Sequence, residues 1–432
     1  MKNTTLESIL QTDLYQLTMG YAALALQNAG ETTGFESFVR KIKPNITDNN
    51  YYTFNAEIEV RSFINKVKKE IREPDFFDRY WEMIKNKVNE NSYKTMKSEF
   101  ESIYKFFDYT VMSNGSKINA FVPVFQYKGP KFFGQMLETP ITNIINGKVG
   151  INSYKGVFNI HLDSDIYKHE LKRRAIQYRN ATTKIILEAG YRRAPSFSVA
   201  QNASRIAIKE NWNGTSNTSI FEEIDQKKIN GSMAHAYIMS FEENGKPNEL
   251  KAFKTWNTIF PNSTILIDTY DSVKAVRILI DNNIKPAAVR IDSDPIEELA
   301  FKVRKELDNA DWRDVKIFLS GDITPEKLIQ WEKDNVPFDI CMAGTHYVNI
   351  DGAENINPGF VYKIVEFTRS NGKTEFPIKK AFGKSNYPGL KSVYFNEKDN
   401  ILTVTKSSEF GFFNDSLENV NNETEIIFEG LF

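Results

Sequence analysis

Residues 263 to 291 read STILIDTYDSVKAVRILIDNNIKPAAVRI, and the order of apolar and polar residues in this stretch decides the fold. Two apolar runs, Ser263 to Ile267 and Ala287 to Ile291, have the pattern of short buried strands. Between them, Ser272 to Asp281 spaces its apolar residues as a helix does. A strand, a helix and a second strand in this order predict a parallel pair joined by a right-handed crossover.

The same alternation continues on both sides of this stretch. We predict further strands at Met233 to Phe241, Val315 to Leu319 and Phe338 to Met342, with helices near Leu250 to Phe260, Ile296 to Leu307 and Pro325 to Lys333. Such alternation is typical of an α/β barrel or a doubly wound sheet. We favour an irregular α/β barrel, because polar residues follow each strand instead of one glycine-rich turn carrying all the recognition. These strand-end residues are His235, Asp268, Arg290, Asp292, Ser320, Asp322, Gly344 and Thr345.

The flanking sequence predicts a second, α+β domain. Helical spacing covers residues 13–27 and much of 55–110, β-like runs cover 117–134, and helices are predicted at 137–145, ending near Gly147, and at 166–190, ending at Gly190. Beyond Gly359 β-like runs return, and we expect them to join the N-terminal portion. The predicted boundaries are 1–147 for an N-terminal α+β domain, 148–358 for the barrel and 359–432 for a C-terminal segment packing partly with the N-terminal domain.

Composition excludes several classes of protein and site. The 432 residues carry a net charge of -1, which gives no electrostatic reason to expect nucleic acid or an anionic membrane as partner. One cysteine, Cys341, and four dispersed histidines offer no disulfide and no metal-ligand spacing. The N-terminus lacks the apolar core of a signal peptide, and no stretch is long and apolar enough to span a membrane. We therefore expect the protein to lie in the reducing cytoplasm.

The common nucleotide motifs are missing, and a phosphate-binding set of residues takes their place. The chain has no P-loop, no Gly-x-Gly-x-x-Gly fingerprint, no Gly-x-Ser-x-Gly elbow and no His-Glu-x-x-His helix. Gly214 to Asn217 and Ala343 to Thr345 offer backbone amides and hydroxyls, while Arg192, Arg193 and Arg290 offer guanidinium groups. Asp268 and Asp292 are able to hold Mg²⁺ or sugar hydroxyls. Cations and carboxylates around one mouth suit a phosphosugar, although each alone is equally compatible with an ordinary loop or surface ion pair.

Several segments resemble those of the nicotinate phosphoribosyltransferases, a type II phosphoribosyltransferase family that includes nicotinamide-using relatives. The similar segments are TDLYQLTM (12–19), FESFVR (35–40), LETPITNIIN (137–146), GYRRA (190–194), GTSN (214–217), GSMAH (231–235), LIDTYD (266–271), RIDS (290–293) and the spacing of Lys380, Lys384, Pro388, Gly389 and Lys391. The resemblance covers nearly the whole chain and implies the family's irregular barrel.

The resemblance also implies an activity: transfer of phosphoribosyl from phosphoribosyl pyrophosphate to nicotinate with Mg²⁺, in NAD biosynthesis. It implies an ATP-coupled ligase that phosphorylates a histidine, here His235. Arg192 and Arg290 would hold phosphate, Asp292 the ribose or magnesium, and Gly344 with Thr345 the 5'-phosphate. The remaining implied substrate-binding residues are Thr215, Ser216, Asp268 and Ser320. In the family, the tyrosine matching Tyr15 stacks on the pyridine ring in the neighbouring subunit, which implies a homodimer with shared sites.

Base preference is predicted from Ser216. The nicotinamide-using relatives carry aspartate at the matching position, which would repel a carboxylate. A neutral hydroxyl tolerates the nicotinate carboxylate, so we expect nicotinate and not nicotinamide as the base.

Three departures from the family pattern lie near the expected substrate. Pro195 to Val199 replaces a glycine-rich acidic loop, Asp294-Pro295 displaces a carboxylate by one residue, and Met342 stands where a phosphate turn has glycine. A divergent active enzyme and a non-catalytic binder of phosphosugar or nucleotide are the competing explanations. Retention of His235 and Asp292 favours activity.

Overall fold

The structure is a computed structural model, and it describes most of the chain. The described ranges are residues 6–26, 31–155, 161–243, 246–293, 295–350, 356–377, 387–396, 401–406, 411–413 and 425–430, with side chains as far as Val393. Within these ranges, none of the helices combines the length and the apolar character that crossing a bilayer requires.

The N-terminal portion alternates short strands with amphipathic helices. Its elements are α1 (Leu14–Ala25), β1 (Thr32–Phe38), β2 (Tyr52–Thr53), α2 (Glu57–Glu70), α3 (Phe76–Ile84), α4 (Tyr93–Ser102), β3 (Asp108–Val111), β4 (Lys117–Ile118), β5 (Phe125–Pro130), α5 (Lys131–Met136) and α6 (Glu138–Ser153). The helix predicted to stop near Gly147 is wrong at that end, since α6 continues to Ser153. Glycine here serves packing: a Cβ on Gly147 would lie 2.4 Å from the Pro195 carbonyl oxygen, and one on Gly150 would lie 1.7 Å from that of Ile356.

The middle of the chain follows the predicted strand and helix rhythm. Its elements are α7 (Asp165–Ala181), β6 (Ile185–Glu188), α8 (Phe197–Lys209), β7 (Gly214–Thr215), α9 (His235–Met239), α10 (Glu249–Ile259), β8 (Thr264–Leu266), α11 (Ser272–Asp281), β9 (Ala288–Ile291), α12 (Ile296–Asn309), β10 (Lys316–Ser320), α13 (Pro325–Lys333), β11 (Ile340–Ala343) and α14 (Thr345–Val348). Local signals place these helices: the Asp271 carboxylate accepts from the backbone N–H groups of Val273 and Lys274 at the start of α11. The predicted bounds of α11 are confirmed.

The described strands of this region form one curled parallel sheet of six strands in the order β7-β6-β11-β10-β9-β8. The prediction of an irregular α/β barrel is confirmed as a half-barrel. Its open side lies between β7 and β8, where Met233 to Phe241 was predicted as a strand. That prediction is wrong, because His235–Met239 is a helix; a short apolar run fits a buried helix as well as a strand.

Two short strands of the sheet, β6 and β7, were not predicted as strands. The helix expected over residues 166–190 is wrong beyond Ala181, because α7 ends there and Ile185–Glu188 forms β6 beside β11. Thr182 is extended, with φ -156 and ψ 151, and the residues that follow it form the strand. The predicted helix end at Gly190 is therefore wrong, because Gly190 lies in the loop after β6.

The C-terminal strands are β12 (Val361–Thr368), β13 (Thr374–Glu375), β14 (Lys391–Asn396), β15 (Ile401–Lys406), β16 (Gly411–Phe413) and β17 (Glu425–Gly430). Strands β12 and β13 join N-terminal strands in an antiparallel sheet of order β13-β12-β1-β5-β3. The others form a second sheet of order β16-β14-β15-β17. The expected α+β domain built from both ends of the chain is therefore present, and the boundaries at 147 and 358 stay a prediction.

Candidate active site

A cavity of about 310 Å³ lies at the carboxyl ends of the parallel strands, between this edge and the antiparallel strands β1 and β12. This is the edge at which parallel α/β sheets carry their chemistry. The parallel sheet, the loops after its strands and the α9 segment line one side: Ala189, Arg192, Arg193, Ala234, His235, Ala236, Met239, Arg290, Asp292, Ser320, Gly321, Asp322, Met342, Gly344 and Thr345. The other wall is Tyr15, Phe35, Arg40, Glu138 and Val361 to Ile364.

The structure brings eight of the eleven predicted site residues together around this cavity. They are Tyr15, Arg192, His235, Arg290, Asp292, Ser320, Gly344 and Thr345. Arg290 through Thr345 converge because successive parallel strands end at one edge, as the strand-end argument expects. His235 reaches the cavity differently, as the first residue of α9.

His235 lies between a hydroxyl and a carboxylate. Its Nδ1 is 3.1 Å from the Thr269 Oγ1 atom, and its Nε2 is 3.6 Å from the Asp292 Oδ2 atom. The Ser320 hydroxyl donates to the other oxygen of Asp292, Oδ1, at 2.9 Å. The imidazole is therefore oriented through Nδ1, and its Nε2 faces a carboxylate that also borders the cavity.

Arg290 is a buried cation at the cavity, 9% exposed. Its Nη2 donates to the Met233 carbonyl oxygen at 2.9 Å, and its Nε has no protein partner within the described residues. The guanidinium carbon lies 5.9 Å from the centre of the Phe318 ring. A buried guanidinium with remaining donors is suited to an anionic ligand that completes its hydrogen bonds.

Arg192 is held by a carboxylate from α6. Its Nη1 donates to Glu138 Oε1 at 2.8 Å, and Glu138 Oε2 accepts from Gln16 Nε2 at 2.9 Å. Tyr15, one residue before Gln16, lies in the same wall as Glu138. Tyr15 thus borders the cavity of its own chain. The sequence analysis predicted a role for it only in the neighbouring subunit's site.

Two predicted substrate-binding residues do not reach the cavity. Thr215 is fully buried, and its hydroxyl donates to Glu188 Oε2 at 2.5 Å. Ser216 is 1% exposed, and its hydroxyl donates to Asp13 Oδ1 at 2.5 Å. Neither side chain is in the cavity lining, so Ser216 has no place there from which to select the base by direct contact. The Thr215 hydroxyl instead bonds within the sheet, and the Ser216 hydroxyl links the loop after β7 to the residue before α1.

Asp268, the third predicted residue outside the cavity lining, is 4% exposed. Neither of its carboxylate oxygens has a hydrogen-bond partner among the described residues. A buried carboxylate without protein partners is costly unless a ligand, a cation or water compensates it. It follows β8, directly before the Thr269 that contacts His235.

The prediction missed several residues of the wall. Arg40 and Glu138 lie within segments that resemble the family, but they were not singled out, and Lys363 carried no signal beyond its place in a β-like run. Burial, and then the charge of Arg192, lower the pKa of Arg40, and the same two causes lower the pKa of Arg193 to about 10. Clustered cations that destabilise one another are relieved when an anion binds.

The departures from the family pattern have different locations. Pro195 to Val199 leads into α8, where Ser196 Oγ accepts from the Val199 N–H at 3.1 Å, and none of these residues lines the cavity. Met342 does line it. Asp294, Lys380 and Lys384 lie outside the described residues, and Lys391 is buried in an ion pair with Glu36 at 2.5 Å.

No family model matches the chain. A nicotinate phosphoribosyltransferase of Mycobacterium tuberculosis is 27% identical over 391 residues, covering 89% of this chain and 75% of that protein. One of Bacillus subtilis is 25% identical over 293 residues, covering 66% of this chain and 54% of that protein. The crystal structure of the Porphyromonas gingivalis nicotinate phosphoribosyltransferase superposes with a TM-score of 0.67 at 18% identity, covering 89% and 96% of the two chains. The chain is therefore similar in sequence to nicotinate phosphoribosyltransferases, and it shares the fold of a solved nicotinate phosphoribosyltransferase structure.

Proposed function

We propose that the chain is a nicotinate phosphoribosyltransferase, which transfers phosphoribosyl from phosphoribosyl pyrophosphate to the ring nitrogen of nicotinate and releases pyrophosphate. The observation that carries the proposal is the cavity itself. Five cationic side chains (Arg40, Arg192, Arg193, Arg290, Lys363) and three carboxylates (Glu138, Asp292, Asp322) border one space at the strand ends. A phosphorylated, hydroxylated substrate matches that combination of charges.

The cations are the groups suited to the phosphates. Arg290 presents a buried guanidinium whose Nε is unbonded within the described residues, and Arg192 presents the donors that its bond to Glu138 leaves over. Gly344 and Thr345 offer backbone and hydroxyl groups to the 5'-phosphate. A Cβ on Gly344 would lie 2.9 Å from the Ala189 carbonyl oxygen, so glycine keeps the two loops in close approach.

The transition state of this transfer develops positive charge on the ribose and negative charge on the departing pyrophosphate. Cations fixed by the protein before reaction stabilise the leaving group without reorganisation. Asp292 lies where a carboxylate can stabilise the ribose or orient its hydroxyls, and the Ser320 hydroxyl fixes it from behind. Holding nicotinate and ribose in one cavity supplies the orientation that an in-line attack needs.

Magnesium fits this cavity as a companion of the substrate. The described residues contain no cluster of three metal-ligating side chains. Mg²⁺ is commonly bound by one or two carboxylates together with phosphate oxygens and water, and Asp292 and Asp322 are the cavity carboxylates suited to that role. When bound, the ion would neutralise charge on the pyrophosphate.

We also propose that ATP phosphorylates His235 and thereby drives product formation. Support comes from the geometry of the side chain: it borders the cavity, its Nδ1 is oriented by Thr269, and its Nε2 faces Asp292. A carboxylate beside one imidazole nitrogen favours a proton on that nitrogen and raises the nucleophilicity of the other.

The decisive assay incubates the full chain with nicotinate, phosphoribosyl pyrophosphate and Mg²⁺, with and without ATP, and separates the products by chromatography. We expect nicotinate mononucleotide and pyrophosphate, with more product when ATP is present and little product from nicotinamide. Binding of phosphoribosyl pyrophosphate by calorimetry without any mononucleotide would replace this proposal by the non-catalytic binder. Product from nicotinamide alone would identify the nicotinamide-using alternative.

The phosphohistidine has its own test. His235→Ala should lose ATP hydrolysis and acid-labile phosphate incorporation while keeping some transferase activity. His169→Ala, at an exposed position on α7, is the matched control and should behave as the wild type. Unchanged ATP hydrolysis in His235→Ala would refute the assignment.

A homodimer in the cytoplasm is the assembly and compartment that we propose for this reaction. Mixing Tyr15→Ala protein with Arg290→Ala protein tests whether sites are shared, because complementary halves restore activity only if Tyr15 serves the partner's cavity. Restored activity would support shared sites. Absence of restoration, with dimers present by sedimentation, would leave Tyr15 in the site of its own chain, where the structure has it.

A further inference from the structure

The helix that carries His235 is one turn long and is anchored from outside at both ends. It spans His235–Met239, with Ser240 as its C-cap. So short a helix has little stability of its own, and its place depends on contacts with its surroundings. On the N-terminal side, Arg290 donates to the Met233 carbonyl oxygen at 2.9 Å.

Two cations anchor the C-terminal end of α9. Arg369 Nη2 donates to the carbonyl oxygens of Ser240 and Glu242 at 3.1 and 2.9 Å, and Lys131 Nζ donates to Ser240 Oγ at 2.6 Å. Carbonyls at a helix C-terminus lack partners within the helix, and cations satisfy them well.

Both cations are themselves fixed by the antiparallel sheet. Arg369 Nη2 also donates to Glu375 Oε2 at 2.9 Å, and its guanidinium carbon lies 4.2 Å from the centre of the Phe367 ring. Lys131 Nζ lies 5.5 Å from the centre of the same ring, and burial lowers the pKa of Lys131 to about 8, although Glu31 opposes that shift. A planar guanidinium that bonds three oxygens and stacks on a ring holds its partners at fixed positions.

The strand that precedes Arg369 also forms part of the cavity wall. Val361 to Ile364 of β12 line the cavity, and Arg369 follows the last residue of the same strand. Arg369 and Lys131 therefore link the C-terminal end of α9 to the strand that forms the wall opposite His235.

We propose that Arg369 and Lys131 are positioning residues for His235: they fix the C-terminal end of α9 and thereby hold the imidazole beside Asp292. The catalytic consequence rests on the proposed function. A displacement of a reacting group by about 1 Å costs roughly a hundredfold in rate, so loosening one anchor of α9 should lower kcat about tenfold or more.

The test compares Arg369→Met with Arg205→Met. Arg205 is a matched control, because its side chain is 22% exposed against 24% for Arg369 and it also bonds a carboxylate, that of Glu223, away from α9. With only four histidines in the chain, ¹⁵N-histidine labelling resolves the ring signals, and His235→Gln assigns those of His235. We expect Arg369→Met to shift the His235 ring signals and to lower kcat at an unchanged KM for nicotinate, and Arg205→Met to do neither.

Conservative and alternative variants keep the test decisive. Arg369→Lys, which retains a cation at the carbonyls, should restore part of kcat, and Lys131→Met should shift the His235 signals even if Arg369→Met fails to fold. Unshifted His235 signals in a folded Arg369→Met or Lys131→Met protein, or equal shifts in Arg205→Met, would overturn the proposal. The ring signals need no substrate, so they decide positioning even if the wild type forms no mononucleotide.

Discussion

Glu249→Gln should stabilise the protein at alkaline pH. Glu249 is the first residue of α10 and is 8% exposed, and its Oε1 has no hydrogen-bond partner within the described residues. Burial, followed by the charges of Asp271 and Asp268, raises its pKa from 4.5 to about 7. Because the folded pKa is the higher one, the folded state binds more protons across this window, and stability falls as pH rises through it.

The magnitude follows from that rise in pKa. A change from 4.5 to about 7 corresponds to about 3 kcal/mol of lost stability once the carboxyl group is ionised. Loss of a negative charge at a helix N-terminus costs about 0.3–1 kcal/mol, so the net gain from Glu249→Gln is about 2 to 3 kcal/mol at pH 8. With an unfolding entropy of about 2.1 cal/mol/K per residue, the melting temperature should rise by about 2 to 3 °C.

Differential scanning calorimetry at pH 5 and pH 8 measures this effect. The gain should be present at pH 8 and small at pH 5, where the folded wild type already carries a protonated Glu249. Glu243→Gln is the control: a hydrogen bond from Lys251 at 2.7 Å lowers the pKa of Glu243, so its removal should bring no gain at pH 8. A lower melting temperature of Glu249→Gln at pH 8, or an equal rise at both pH values, would refute the reasoning.

Three further predictions concern the site and its support. Ser216→Asp should lower the free energy of unfolding at pH 8 by about 3 kcal/mol or more, read as a lower melting temperature, because it sets a second carboxylate against Asp13, which now accepts at 2.5 Å; full stability would contradict that contact. Gly150→Ala should cost about 1–3 kcal/mol or more in denaturant unfolding, since its Cβ would lie 1.7 Å from the Ile356 carbonyl oxygen; an unchanged midpoint would exclude that approach. Arg290→Lys should raise KM for phosphoribosyl pyrophosphate about tenfold in steady-state kinetics, because an ammonium lacks the guanidinium fork; an unchanged KM would remove Arg290 from the phosphate site.

Strand order along the chain allowed much of the site to be predicted. Parallel strands joined by helices end at one edge, so the polar residues following β9, β10 and β11 had to meet there, whatever the details of packing. Asp292, Ser320 and Gly344 border the cavity for this reason. The start of α11 could also be predicted, because the Asp271 cap and the helical spacing of apolar residues after it are local features of the sequence.

Two features of the site could not be predicted from local sequence and depend on tertiary packing: the secondary structure at His235 and the direction of the Thr215 hydroxyl. The apolar run at His235 fits a strand or a buried helix equally well, and only the structure shows it as a helix whose flanking residues are bonded by Arg290, Lys131 and Arg369. The local sequence does not show whether the Thr215 hydroxyl faces a ligand or another side chain. In the structure it donates to the Glu188 carboxylate and lies outside the cavity lining.

The sequence by itself determined the alternating elements and the residues at the strand ends, because spacing and capping act over a few positions. Only the tertiary structure decided which of those residues face the cavity, and it added a wall from β1 and β12 with Arg40 and Lys363. These strands are separated by more than 300 residues along the chain, and they pair as Phe35 with Ile364. Such pairing depends on the burial of both surfaces at once, which no local stretch of sequence expresses.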